Sequence, residues 1–486
     1  MTINKSLLNF KKKHKNKKNQ IIFYKTNCNN KIIKNLINNF LRKKNSFIFE
    51  SVEKRRIRGR YTILGADPDK IWEFNKKKIH LFHNEKKKKI KGDPFHVLKK
   101  IIEDFNFPLP KHLPQICSLL VGYFSYDVIR YIEKIPDNCV DDLKIPDIRL
   151  MRPKTIIIYD NLFKKIYFIQ NCFADEKIKN YEDYYSKQLK NIKIIKNLAF
   201  NFNYPNIVKK KKKRKIFVKS NISKKKFKKI VLTAKKYIKK GDIFQVVLSQ
   251  RFETKLTKDP IDIYKKLRIT NPSPFMFFFN YSDFQIIGSS PEILVRLRKN
   301  KITIRPIAGT RPRGNNRKKD LFFKNQLLND KKELAEHLML LDLGRNDIGK
   351  VSKINTVKVT ENFKIEKYSH VMHIVSNVEG IHNNKKSLLD TMLAGFPAGT
   401  VTGAPKIRAM EIIDKLEKSK RKMYAGSIGY FSANKSFDTC IALRTALIKD
   451  NKFYVQSGAG IVADSIPEKE YFETINKAKA LINSLI

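Results

Sequence analysis

Four glutamates set the first chemical question. In KKELAEHLMLLDLGRNDIGK, residues 331–350, Glu333 and Glu336 stand three apart in a helix-like stretch. PEKEYFETINKAKALI, residues 467–482, repeats the spacing with Glu470 and Glu473. At i, i+3 both carboxylates project from one face of a helix. Two such helices facing each other would converge four acids, and a hard cation resolves the repulsion. Mg²⁺ takes one or two protein carboxylates and completes its shell with waters and substrate oxygens. For either pair alone, an exposed helix face is the competing reading.

Other candidates surround these acids. Thirteen of the 18 glycines lie between Gly288 and Gly460, which marks 288–477 as the expected site. They fall in RPIAGTRPRG (305–314), AGFPAGTVTGAPK (394–406), YAGSIGYF (424–431) and QSGAGIVADS (456–465). Such phrases let backbone N–H groups approach an anion. Neither a G-x-x-x-x-G-K-[ST] loop nor a G-x-G-x-x-G fingerprint occurs. Arg444 in IALRTAL and Lys477 supply positive charge beside them. His373 in the apolar run YSHVMHIVSNVEG reads more readily as structural than as catalytic, and Tyr424 and Thr400 share that ambiguity.

The elements that must position these residues belong to a chain of 486 residues, enough for one large or two smaller domains. Residues 1–20 are basic and expected to be disordered. Residues 21–202 alternate helix-like stretches with β-rich runs such as TIIIYD (155–160). Residues 203–222 read as a basic linker, and 223–486 as the region carrying the chemistry. Composition alone gives mixed α and β.

Lys and Arg number 102 against 45 Asp and Glu, a formal net charge of +57. That balance raises nucleic-acid binding as a different class of function. The lysines, however, lie mostly in tracts (11–18, 86–89, 209–215), as solvated surface and linkers do. No zinc-finger spacing or RNA-binding signature accompanies them. Five scattered cysteines without a C-x-x-C pair argue for free thiols in a reducing compartment. No secretory signal and no 18-residue apolar run is read, so the expected place is the cytoplasm, with no membrane and no nucleic acid as partner.

In order along the chain, PIAGTRPRG, ELAEHLMLLDLGRND, YSHVMHIVS, GTVTGAPK, YAGSIGY, ALRTA, SGAGIVADS and PEKEYFET resemble the chorismate-utilising enzymes, and among them the large subunits of anthranilate synthases. The dense match covers roughly 220–486, with weaker agreement at 45–70 and 121–136. The resemblance implies an α+β fold of two large β-sheets packed face to face, helices outside and the site in the cleft between. It implies Glu336 and Glu473 as Mg²⁺ ligands, with Glu333 and Glu470 in support through water. Arg444, Tyr424, Lys477, the Gly309–Thr310 backbone and a loop at Gly458, Ala459 and Gly460 would take the polar groups of chorismate. Glu292 in GSSPEILV matches the general acid, His373 the residue that assists proton removal at C2, and Thr400 joins them.

Two positions select among relatives. Gln245 in FQVVLSQR stands where water-adding members carry a lysine base, and a neutral amide cannot deprotonate water. Ala308 stands where many aminodeoxychorismate synthases carry a nucleophilic lysine, so ammonia must attack C2 directly; that branch remains the alternative. No G-x-C-x-G elbow is present, which implies a separate glutamine amidotransferase subunit in a heterotetramer of two large and two small subunits. The resemblance also implies L-tryptophan as feedback inhibitor, held by Glu50, Ser51, Pro274, Phe275 and Met276. Ile48, Phe49 and Phe275 depart from the family pattern there, which predicts weakened feedback.

Overall fold

The computed structural model describes residues 2–51, 59–83, 86–201, 216–368 and 371–486. Its architecture follows from two-residue alternation along the strands. In the strand Ser46–Glu50, Phe47 and Phe49 join a core made mostly of strand residues, including Val121, Ile156, Ile169, Phe277, Ile286 and Ile428. Ile48, between them, joins a second core with Leu64, Ile157, Phe278 and Ile287, covered by helices that supply Leu36, Ile195, Leu267 and Leu481. Since successive side chains point to opposite faces of a strand, one face packs strand on strand and the other packs under helices. The fold is α+β, with the strands joined in a large antiparallel network.

The pairing crosses the expected regions. Ser46–Glu50 lies beside Phe275–Asn280, and Leu119–Phe124 lies beside Ser427–Ser432. Residues 21–202 therefore complete the sheets of 223–486 rather than enclosing a core of their own.

Two expectations need correction or restriction. Of the N-terminal residues expected to be disordered, those described are not: Thr2–Lys15 is a helix and Gln20 begins a strand paired with Lys165–Cys172. Phe10, only 4% exposed, packs its ring on Tyr184 and Tyr185, and His14 Nδ1 lies 3.1 Å from Tyr181 Oη. One aromatic at i and a second ring at i+4 were enough to dock a lysine-rich helix. Of the basic linker, 203–215 lies outside the described residues, and Lys219–Ser220 near its end pairs with Phe252 and Glu253.

Two helices and three strands bring the site together. The glutamates ride on Lys331–Gly349 and Pro467–Asn483. The first is capped by Asp330, whose side chain accepts from the N–H groups of Lys332 and Glu333. Strand Gln245–Lys255 runs antiparallel to Lys452–Ile461, and Val371–Ile381 carries His373. Far from the site, Lys86–Ile90 pairs on one side with Lys78–His83, and all four of its lysines are exposed.

Candidate functional site

A cavity of about 640 Å³ is lined by Thr310, His373, Arg444, Glu473 and Lys477, among others. Sequence reasoning named all five from four separate phrases, and the fold brings them to one place.

His373 Nδ1 lies 2.9 Å from the Gly309 carbonyl and 3.1 Å from Thr310 Oγ1. A carbonyl can only accept, so Nδ1 carries the proton and Nε2 keeps its lone pair. Burial, reinforced by the nearby Arg444 charge, lowers the imidazole below its ordinary value despite the Gly309 contact. The ring is thus neutral, with one nitrogen ready to accept a proton. Gly309 has φ +65°, and a Cβ there would lie 2.9 Å from Leu327 Cδ1 and 3.2 Å from Glu333 Oε2. The ladder slips between Ala308 and Arg311, which lifts Gly309 and Thr310 out of regular pairing.

Glu292 is 6% exposed and accepts from Thr400 Oγ1 at 3.3 Å. Burial pushes its carboxyl up to about 8, so it holds its proton at neutral pH. Its neighbour Pro291 lines the cavity.

The two glutamate pairs sense each other through Glu336 and Glu473. Burial raises the Glu336 carboxyl, as do the charges of Glu333 and Glu473, against the Gln245 hydrogen bond and Lys477. Burial raises Glu470 too, with Glu473 adding to it and Ser465 opposing. Three of the acids have a partial anchor: Gln245 Nε2 donates to Glu336 Oε1 at 3.1 Å, Arg311 Nη1 lies 3.1 Å from Glu333 Oε1, and Lys477 Nζ 2.7 Å from Glu473 Oε1. Among the described residues, no three His, Cys, Asp or Glu close into a ready metal cage. An open cluster of mutually repelling carboxylates nevertheless suits Mg²⁺, which keeps several non-protein ligands.

Gly458, Ala459 and Gly460 correct an expectation: they form no loop but lie inside the strand Lys452–Ile461. A Cβ on Gly458 would lie 2.6 Å from Tyr424 Oη, and one on Gly460 2.7 Å from Gln245 Nε2. Close approach of side chains from neighbouring elements, not loop conformation, selects glycine here. Ala459 turns its methyl into the core beside Val246 and Leu248. Lys477 Nζ also donates to the Gly458 carbonyl at 3.0 Å, so Tyr424, Gly458 and Lys477 lie side by side. Arg444 sits at φ +46°, with no ion-pair partner among the described residues, and burial lowers its guanidinium.

Other lining residues escaped sequence reading. Lys469, Phe472, Asn476 and Ala480 line the same cavity as Glu473. Helical spacing from Glu473, at i−4, i+3 and i+7, was the signal for three of them.

Glu50, Ser51, Pro274, Phe275 and Met276 line a second cavity of about 720 Å³. Glu50 accepts from Tyr264 Oη at 2.6 Å and Arg268 Nε at 2.7 Å, whereas the buried Ser51 Oγ has no partner among the described residues. Pro291 and Tyr368 line both cavities.

The chorismate binding enzyme family matches residues 44–483. The chain is 46% identical over 445 residues to anthranilate synthase component 1 of Cereibacter sphaeroides, covering 90% of this chain and 88% of that one. It is 44% identical over 452 residues to the protein of the same name from Acetivibrio thermocellus, covering 90% of each. The crystal structure of anthranilate synthase component I from Streptococcus pneumoniae superposes with a TM-score of 0.78 at 37% identity, covering 88% of this chain and 93% of that one. The menaquinone-specific isochorismate synthase of Escherichia coli, at 17% identity and a TM-score of 0.70 over 100% of both chains, shares the fold.

Proposed function

Since this chain belongs to the chorismate binding enzymes, we infer that it catalyses the anthranilate synthase component 1 reaction, converting chorismate and ammonia to anthranilate, pyruvate and water. The observation that carries it is a single cavity that gathers Thr310, Arg444, Lys477 and His373, with His373 Nδ1 held at the Gly309 carbonyl. Ammonia adds at C2 while the 4-hydroxyl leaves as water, and a hydroxyl needs a proton to leave. Glu292 holds that proton at neutral pH. Removal of the C2 proton then expels pyruvate and completes the aromatic ring, a task for His373 Nε2. Arg444 faces a carboxylate with a rigid fork of donors, and Lys477 adds a point charge.

The identity of the nucleophile follows from what the chain lacks at two positions. Gln245 gives its amide to Glu336, and Ala308 has no nucleophile to offer. Ammonia supply from within the chain also lacks support. Burial pushes Cys28 up to about 11 and Cys117, Cys139 and Cys172 up to about 12, and raises Cys440 further. A thiolate nucleophile needs the opposite shift. A partner component, a glutamine amidotransferase, therefore supplies ammonia in a heterotetramer of two chains of each kind. The five free thiols suit a cytoplasmic enzyme.

Mg²⁺ would be held by Glu336 and Glu473, with Glu333 and Glu470 through water. Bound there, it would neutralise and orient the substrate's ring carboxylate. The mutual repulsion of Glu336 with Glu333 and Glu473 supports this reading. L-Tryptophan would occupy the second cavity, where the unpartnered Ser51 Oγ offers a polar anchor beside Phe49 and Phe275. The walls shared at Pro291 and Tyr368 give it a route to the reaction cavity, and the coupling must be reciprocal.

The test is an assay of the purified chain with chorismate, Mg²⁺ and ammonium at alkaline pH. Anthranilate fluorescence is expected, and glutamine alone should give no turnover. Formation of 4-aminobenzoate instead would favour the aminodeoxychorismate branch.

A further inference from the structure

His337 follows Glu336 directly, yet the reaction has no use for it. It is fully buried, with Nε2 2.7 Å from Ser376 Oγ. The same hydroxyl accepts from the Phe363 N–H at 3.1 Å, and the Phe363 ring meets the imidazole edge-on at 4.7 Å. Phe363 makes both contacts from φ +48°, a conformation bulky residues rarely adopt. The strand Lys358–Lys367 slips register around it, between Glu361 and Lys364. Strain at a bulge persists only where surrounding contacts over-determine it.

A core of this kind had simpler solutions. Leu327, Met372 and Ile374 pack nearby, and an apolar residue at 337 would have joined them without a hydrogen bond or a strained strand. What the polar contact adds is orientation. Ser376 stands three residues after His373 on the same strand, so the contact ties the glutamate-bearing helix to the strand of the catalytic histidine. A carboxylate about 6 Å from a helix axis moves about 2 Å when the helix rolls by about 20°. Functional groups need placement within about 0.5 Å.

We propose that His337, Ser376 and Phe363 form a positioning contact that fixes the roll of the Lys331–Gly349 helix, and so sets the Glu336 carboxylate relative to His373. The proposal rests on Glu336 serving as a metal ligand. It assigns His337 and Ser376 a role in cation affinity without contact to the cation or to chorismate.

The experiment compares the full-length wild type with Ser376→Ala, His337→Leu and His337→Gln. Thermal melting reports the fold, calorimetry reports Mg²⁺ binding without substrate, and ammonia-dependent kinetics separate kcat from KM. Ser376→Ala and His337→Leu should bind Mg²⁺ about 10- to 100-fold more weakly, the usual cost of losing a partner behind a metal ligand. His337→Gln, whose amide nitrogen reaches the Nε2 position, should recover most of that loss. Unchanged Mg²⁺ affinity in folded Ser376→Ala and His337→Leu overturns the proposal, as does His337→Gln behaving like His337→Leu. Should His337→Leu fail to fold, Ser376→Ala and Phe363→Gly probe the same contact from the other side, and unchanged affinity in both overturns it equally. A wild type that takes up no Mg²⁺ overturns the metal reading itself. The positioning contact is then judged by kcat in Ser376→Ala, where no loss refutes it.

Discussion

Glu292→Gln should make the protein inactive and, above neutral pH, more stable. The native carboxyl is raised from 4.5 to about 8 by burial. Unfolding returns it to the ordinary value, so the unfolded chain releases its proton first. The stability held by the protonated form is complete below about pH 4.5 and is lost as pH rises through about 8. The span is 8 − 4.5, or about 3.5, and at about 1.36 kcal/mol for each pH unit the total approaches 5 kcal/mol. About 2 kcal/mol of this has gone by pH 6 and about 3 kcal/mol more goes between pH 6 and pH 9. Glutamine keeps an oxygen for the Thr400 hydroxyl and has nothing to ionise. Urea unfolding at about pH 6 and about pH 9 should therefore show the wild type losing about 3 kcal/mol more than the variant between the two. Turnover in the variant should fall by orders of magnitude at every pH, since an amide cannot protonate the departing hydroxyl. Parallel pH dependence of the two proteins would refute the raised carboxyl and with it the assignment of the acid.

Three further outcomes follow from the site. Glu336→Gln or Glu473→Gln should abolish turnover with the melting transition preserved, and EDTA should do the same reversibly to the wild type; full activity after chelation would remove the metal. Arg444→Lys replaces a two-pronged donor by a point charge, and a charge-assisted hydrogen bond contributes about 1.5–3 kcal/mol. The KM for chorismate should rise about 10- to 100-fold with kcat less affected, and an unchanged KM would place the substrate elsewhere. Ser51→Phe should abolish tryptophan binding in calorimetry while ammonia-dependent turnover persists; retained binding would move the inhibitor out of the second cavity.

Local chemistry was legible in the sequence and its geometry was not. The i, i+3 glutamates declared their helices because helical period and charge are written in adjacent residues. Gly458 and Gly460 misled, since a glycine-rich phrase looks alike whether it turns or runs extended. The deciding contacts, Tyr424 Oη and Gln245 Nε2, come from residues far along the chain. Phe10 misled for a related reason. A single aromatic among lysines carries little weight until Tyr184 and Tyr185 offer it a seat. The contact of His337 with Ser376 spans 39 positions, and neither residue alone suggests the other. Pairings such as Met276 with Glu50 join distant segments, so a break in composition near 203 did not mark a break in the fold.

The lysine strand Lys86–Ile90 bears on how the protein behaves at high concentration. A strand paired on one side is a template for other chains, and two copies meeting there would bring rows of ammonium groups within about 5 Å. Their repulsion guards the edge, but only as far as the ionic atmosphere permits. The screening length is about 8 Å at physiological salt and about 3 Å at 1 M. Colloidal stability should thus decline as salt is added, and purification in concentrated salt would strip this strand of its protection.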